Sequence, residues 1–452
     1  MDKSLFLWLF GVLGILYIVI GYRASRSITT IDDYFLAGRH LGLFALTIAL
    51  IATQLGGGVI LGTSKESYTQ GLYGIAYVIG ISIGFIILAL GLAGKFRSLN
   101  IHTTAEIFQI RYNSIALRKF ASLLSMISLI GILAAQVVAS RNLMISLDVY
   151  SEWLFVAFWV LIIGYTMLGG LKAVVNNDIF QLSFIVMVFA SIFVYEIISN
   201  PLSVKAIFSS HHALGITLSW RLLSILLIPA FYCLIEQDIA QTLFAARSPS
   251  IAIMGTLLSS LFMISFALIP AFFGMKAHFL GLAIPESANP LIYLLDRSYP
   301  TALMTLIIYG IFAAIISTAD ALLCAISSHM VQDFNLTQKS THALWIAKGA
   351  TLAIGIVTLI LGHYYNNIID VLVGSYTIPV AALFVPLMAP FILKKVYYQA
   401  AWASIAIGLS SYCILKLIGA DWPIEIISLA LATMCYALVT IFYSKSNLAT
   451  QA

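Results

Sequence analysis

Ala314, Ser317 and Thr318 fall three and four residues apart, so on a helix one backbone carbonyl and two hydroxyls share a face. A hard cation takes several such oxygens. The same hydroxyls can instead bond back to their own helix, and spacing alone leaves both readings open. Two further stretches place polar atoms inside apolar runs: Gln54-Leu55-Gly56-Gly57-Gly58, and the segment from Pro229 to the triplet Glu236-Gln237-Asp238. Asp178 and Asp320 are carboxylates beside apolar runs, where acids are functional by default unless they cap a helix or pair with a cation. No His-Glu-x-x-His, Gly-x-Ser-x-Gly or paired helical Asp motif occurs, so no catalytic residues are assigned and an enzyme is not expected. A Gly-rich phosphate loop followed by Lys-Ser/Thr is also missing, which argues against ATP as an energy source. Cys233, Cys324, Cys413 and Cys435 lack metal-ligand spacing and read as small core residues.

The elements that must position these residues follow from composition. Of 452 residues, 61% are hydrophobic and 9% charged, with a mean hydropathy of +1.02, against about 25% charged in soluble domains. The fold class expected is an all-α polytopic membrane protein in contact with the lipid bilayer. A soluble enzyme, a nucleic-acid-binding module and a disulfide scaffold are excluded. A crossing helix needs about 20 apolar residues, and runs of that length suggest about thirteen: 4–22, 43–62, 71–94, 119–140, 153–169, 178–198, 219–236, 252–275, 302–324, 344–362, 370–393, 400–419 and 423–443. The first is longer than a signal-peptide core and has no small-residue cleavage site before Arg23, so it is expected to be retained.

Counting Lys and Arg on alternate sides puts fifteen of the 23 with Arg23, Arg39, Arg97, Arg118, Lys339 and Lys394, and eight with Lys3, Lys65, Arg221 and Lys276. The positive-inside rule then places the amino terminus outside and the carboxyl terminus in the cytoplasm, in a cell inner (plasma) membrane. The net charge of +5 reflects this retention rather than an acidic partner. The linker 95–118 reads as an amphipathic helix along the cytoplasmic surface.

Two of these spans are interrupted. Three adjacent glycines in the second each cost about 1 kcal/mol of helix propensity, and unwound backbone at that depth is tolerated only against a protein-lined cavity. The seventh contains Pro229 and then the polar triplet. Breaks five spans apart are the pattern of a 5+5 inverted-repeat transporter whose site lies between the halves. The expected organisation is 1–42 as the first helix and its loop, 43–198 and 199–396 as the two repeats with broken helices 2 and 7, and 397–452 as two peripheral helices.

Several strings, in order, resemble the sodium/solute symporter family, which is built on the leucine-transporter inverted-repeat fold. They are Asp32-Asp33-Tyr34-Phe35-Leu36-Ala37-Gly38-Arg39, Thr103 to Tyr112, Tyr165 to Val174 with Asn177-Asp178 and Gln181, and Ser317-Thr318-Ala319-Asp320 with Ser327-Ser328 and Asp333. The likeness covers about residues 31–395. It implies a coupling sodium ion held by backbone oxygens of Ala52, Leu55 and Ala314 and by the hydroxyls of Ser317 and Thr318, with Asp178 tuning the field. It also implies substrate contacts at Gln54, Gly56, Gly57, Gly58, Gln136, Phe231, Tyr232 and Glu236, with Tyr232 where some members place an inner gate. No organic cofactor is implied. Departures are Gln241-Thr242 where Gln-Arg is common, and Glu236-Gln237 where an amide pair is common. The glycine run is most similar to choline-type members.

The function these readings give is a sodium-coupled secondary active symporter importing a small polar organic solute by alternating access. An amine or zwitterion is favoured, because ring faces and Glu236 suit a cation; the glycine-break amides could instead receive a carboxylate. Proton coupling through Asp178 or Asp320, and a membrane-embedded ligand sensor working with a partner, are the alternatives.

Overall fold

The computed structural model describes residues 2–215, 219–285, 288–336, 342–364, 368–419 and 422–449. Among them the chain is helical, apart from loops and one isolated bridge between Leu41 and Ala246. Among the described residues ten helices are long and apolar enough to cross a bilayer, or eleven if one bent pair counts as a single span.

That count is lower than thirteen because Gly57–Ser98 and Glu152–Ser199 are each one run, although each contains a joint. The expected fifth and sixth spans lie in Glu152–Ser199 as two helices that meet at a kink, where Gly170 leaves helical geometry at φ 48° and ψ −150°. A side chain at Gly170 would put Cβ 2.2 Å from the Tyr34 carbonyl oxygen. The position therefore needs glycine both for its left-handed φ and for the approach of a neighbouring backbone. The expected second span is divided into Leu43–Gln54, too short to cross alone, and Gly57–Gln70, which leads through a short turn into Ala76–Ile87.

The helix Thr301–Asp333 is the core of the molecule. Its most apolar stretch is 83% buried, against 28% for Lys3–Ser25 and 22% for Ile424–Ser444 at the periphery. Leu7, Trp8 and Ile15 on the first helix and Met434 and Leu438 on the last are exposed. Such apolar residues on the outer face of a spanning helix meet lipid at no cost.

The linker 95–118 departs from the expected surface helix. Only Glu106–Tyr112 is helical within it, apart from the ends of its neighbours, and Ile107 and Phe108 are fully buried. The Thr104 amide donates to Gln237 Oε1 (2.8 Å), Gln237 Nε2 donates to the His102 carbonyl (2.9 Å), and the Thr103 hydroxyl donates to Asp333 Oδ1 (2.7 Å). Asp333 also receives Arg118 Nε at 2.7 Å and lies 2.7 Å from His329 Nδ1. Polar termini of three elements satisfy one another here, which draws the linker into the protein.

Arg39 pairs with Asp32 (3.3 Å), and Arg97 donates to Asn100 Oδ1 (3.0 Å) in the same region. Lys3 with Asp148 (2.5 Å), Arg221 with Glu66 (3.3 Å) and Lys276 with Glu196 (2.5 Å) pair within the other set of basic residues. Lys339 lies outside the described residues.

Candidate functional site

The helix Leu43–Gln54 stops where Leu55 takes φ −81°, ψ 50° and Gly56 is extended at φ −74°, ψ 175°. None of the three glycines has a positive φ. Their second reason for being glycine is proximity. A Cβ at Gly56 would stand 2.7 Å from Thr318 Oγ1, and one at Gly57 would stand 2.9 Å from Ile315 Cγ1. At Gly58 a Cβ would meet nothing within 4 Å. The break is thus pressed against Thr301–Asp333, and only Gly58 faces open space.

Across this contact the helix end and the hydroxyl face meet. Ser317 Oγ donates to the carbonyls of Ala52 (3.1 Å) and Ala314 (3.2 Å), and Thr318 Oγ1 to those of Thr53 (3.1 Å) and Ala314 (3.2 Å). Back-bonding to the hydroxyls' own helix and bridging to the broken helix therefore coexist. Leu55 is buried beside them, its amide bonded to the Ile51 carbonyl at 2.7 Å. The Thr53 carbonyl is an addition that spacing did not single out. The set is buried, neutral and made of oxygens from two helices, which suits a hard ion of low charge. Among the described residues no group of three His, Cys, Asp or Glu side chains is placed to hold a metal.

The second break lies opposite the first. Trp220–Cys233, with Pro229 inside it, and Gln237–Phe244 meet at 41° around Leu234, Ile235 and Glu236. Gln54 Nε2 donates to Glu236 Oε2 at 3.2 Å, joining residues 182 apart in sequence. Both breaks border a cavity of about 310 Å³. It runs from Thr318 and Glu236 in the interior to the Arg221–Glu66 ion pair, whose side chains are 66% and 34% exposed.

Of the expected substrate residues, Gln54, Gly56, Gly58, Gln136 and Glu236 border this cavity; Gly57, Phe231 and Tyr232 do not. Gly57 faces Ile315 instead. Phe231 packs on Phe384 with ring centroids 4.6 Å apart. Tyr232 lies behind Glu236, its hydroxyl 3.1 Å from Ser128 Oγ and its ring edge-on to Tyr376, in a much smaller cavity of about 10 Å³ that shares Glu236. Asp238, Tyr77 and Tyr376 border the main cavity and were not expected there. Asp238 stood in the polar triplet and was legible; the two tyrosines sit in apolar helices with nothing local to distinguish them. The Gln136 Oε1 atom is buried with no partner among the described residues.

Asp178 and Asp320 are both fully buried. Tyr165 donates its hydroxyl to Asp320 Oδ2, while both Asp178 oxygens and Asp320 Oδ1 have no partner among the described residues. Asp178 lies near enough to Asp320 and Tyr165 to interact with them electrostatically. Asp320 lies on the helix that carries the two hydroxyls, and Asp178 on Glu152–Ser199.

The model of the sodium:solute symporter family matches residues 34–408. The sodium/proline symporter of Haemophilus influenzae is 24% identical over 402 residues, covering 81% of this chain and 78% of that one. Sodium-coupled monocarboxylate transporter 1 of Xenopus laevis is 28% identical over 202 residues, 43% of this chain and 31% of that one. In three dimensions the chain is similar to a substrate-bound, outward-open Na+-coupled sialic acid symporter, with a TM-score of 0.83, 97% of this chain and 98% of that one covered, and 19% identity. This chain belongs to the sodium:solute symporter family. It is a multi-pass membrane protein of a transporter family.

Proposed function

We propose that this member of the sodium:solute symporter family imports a small polar organic solute bearing an amine, as a cation or zwitterion, by alternating access driven by inward sodium movement. The observation that carries the reading is the meeting of the Ser317 and Thr318 hydroxyls with the Ala52, Thr53 and Ala314 carbonyls at the unwound helix end. Sodium would take its ligands from these oxygens and from the Leu55 carbonyl, with Asp178 adding negative field from behind. Its binding would hold the broken helix against Thr301–Asp333 and so order the Gln54–Gly58 wall of the cavity. The solute would then sit beside Gln54, Gly58, Gln136 and Glu236.

Access through the Arg221–Glu66 end, and closure at the opposite end by the Asp333, Arg118 and Thr103 contacts, support an outward-facing arrangement. Inward opening requires those contacts to part, with repeats 43–198 and 199–396 rocking about the site. Tyr232, which borders the smaller cavity behind Glu236, would act as the inner gate. The membrane potential adds about 2.3 kcal/mol per charge per 100 mV to the drive. The amino terminus is read as outside and the carboxyl terminus as cytoplasmic.

Thermal stability of the purified protein in sodium against potassium tests the coupling ion. Sodium should raise the midpoint, and Ser317→Ala with Thr318→Ala should demand a higher sodium concentration for the same rise. Equal midpoints in the two ions, with solute uptake unchanged in potassium, would reject it. The unpartnered Asp178 favours one second reading, proton coupling, which predicts sodium-free uptake driven by an inward proton gradient and its loss in Asp178→Asn.

A further inference from the structure

We propose that the transported solute is an organic monocation carrying N–H donors, a primary or secondary ammonium or a guanidinium, held between Glu236, Asp238 and the Gln136 side-chain oxygen. This rests on the reading of the cavity as the transport site. Glu236 and Asp238 are each at least 95% buried and both border the cavity. The only Lys or Arg among its described walls is Arg221, which is engaged with Glu66 at the mouth. When both are ionised, two carboxylates in a poorly solvated space need compensating positive charge; without it they share a proton. Thr318 borders the same cavity, so a sodium ion at the hydroxyl face supplies one such charge. The solute supplies the second. A zwitterion adds none, and an anion increases the imbalance.

The polar atoms separate the kinds of cation. Gln136 Oε1 is a buried acceptor without a donor, and the carboxylate oxygens are acceptors as well. N–H groups form short charge-assisted bonds to such atoms, whereas a trimethylammonium has no donor to give and leaves Oε1 unsatisfied. Tyr77 and Tyr376 border the cavity with ring centroids 6.4 Å apart, tilted by 48°. Two rings tilted against each other are not the enclosing aromatic cage that suits a quaternary ammonium. The consequence is that sodium and solute bind cooperatively, each neutralising one charge of a shared pair.

The test uses probes of matched size on the purified full-length protein: ethanolammonium, choline, glycine and glycolate, with butylammonium and methylguanidinium to span the cavity. Thermal midpoints are read in sodium and in potassium. Ethanolammonium or another N–H monocation should stabilise in sodium with a half-saturating concentration at least tenfold below that of choline, glycine or glycolate, and at least tenfold below its own value in potassium. Glu236→Gln and Asp238→Asn should each weaken this response tenfold or more, while sodium alone still raises the midpoint. Preference for choline, glycine or glycolate, or no response to any N–H cation, overturns the proposal even if a variant fails to fold, because these arms use the unmodified chain. If sodium itself gives no stabilisation, it is the symport reading that has failed.

Discussion

Gly56→Ala tests the contact on which the ion site depends. The added Cβ would lie 2.7 Å from Thr318 Oγ1, 3.5 Å from its Cβ and 3.6 Å from its Cγ2. Only the hydroxyl is too close; the other two distances are ordinary contacts. The backbone at Gly56 is extended at φ −74°, so alanine fits its conformation. The whole penalty is therefore steric, about 1–3 kcal/mol for overpacking a tight site, set against about 0.4–1 kcal/mol gained by restricting the unfolded chain. Removing the hydroxyl in Thr318→Ala should reverse the sign, so that Gly56→Ala made in that background becomes neutral or stabilising. A double-mutant cycle in equilibrium unfolding from mixed micelles reads this as a coupling of about 1–3 kcal/mol between the two positions. Part of the strain can also be relieved by moving Oγ1 away from the Thr53 and Ala314 carbonyls, and then sodium binding weakens, tenfold for each 1.4 kcal/mol lost. Additive effects within about 0.5 kcal/mol, or a Gly56→Ala protein as stable and sodium-responsive as the parent, would refute the apposition of the broken helix and the hydroxyl face.

Asp178→Asn removes a buried carboxylate whose oxygens lack partners among the described residues, so the folded protein should be as stable as the parent or more so, while the sodium concentration for half-maximal stabilisation rises; parallel loss of folded protein and sodium response would mark a structural role. Gly58→Leu should fill the cavity and abolish solute-induced stabilisation with insertion retained, whereas Gly57→Leu should lower the unfolding midpoint by colliding with Ile315; the opposite pattern, measured by thermal melts with and without solute, would contradict the assigned facing of the break. Outside the membrane, the hydrogen bond from His102 and the neighbouring charges of His102 and Arg39 outweigh partial burial and hold the Asp32 carboxyl at about 2, below the usual 3.8. A lowered carboxyl contributes stability above its ordinary value and loses it as pH falls from about 4 to 2, so the parent's unfolding midpoint should fall more steeply over that interval than that of Asp32→Asn.

What the sequence by itself determined is what local rules govern. Apolar run length set the spans, because a helix must bridge hydrocarbon and satisfy its own backbone there. The Gly56–Gly58 and Pro229–Asp238 interruptions were legible because helix propensity is a property of neighbouring residues, and the shared face of Ala314, Ser317 and Thr318 because helical periodicity places it. The break near Gly170 was legible as the gap between runs 153–169 and 178–198, but why glycine stands there was not, since its left-handed φ answers to the Tyr34 backbone more than a hundred residues away. Tertiary structure alone decided which side of each broken helix meets the cavity. It joined Gln54 to Glu236, turned Phe231 and Tyr232 away, and brought in Tyr77 and Tyr376. The physical reason is that an almost wholly apolar helix carries no amphipathic stripe to fix its rotation; rotation is set by close packing against partners distant in the chain.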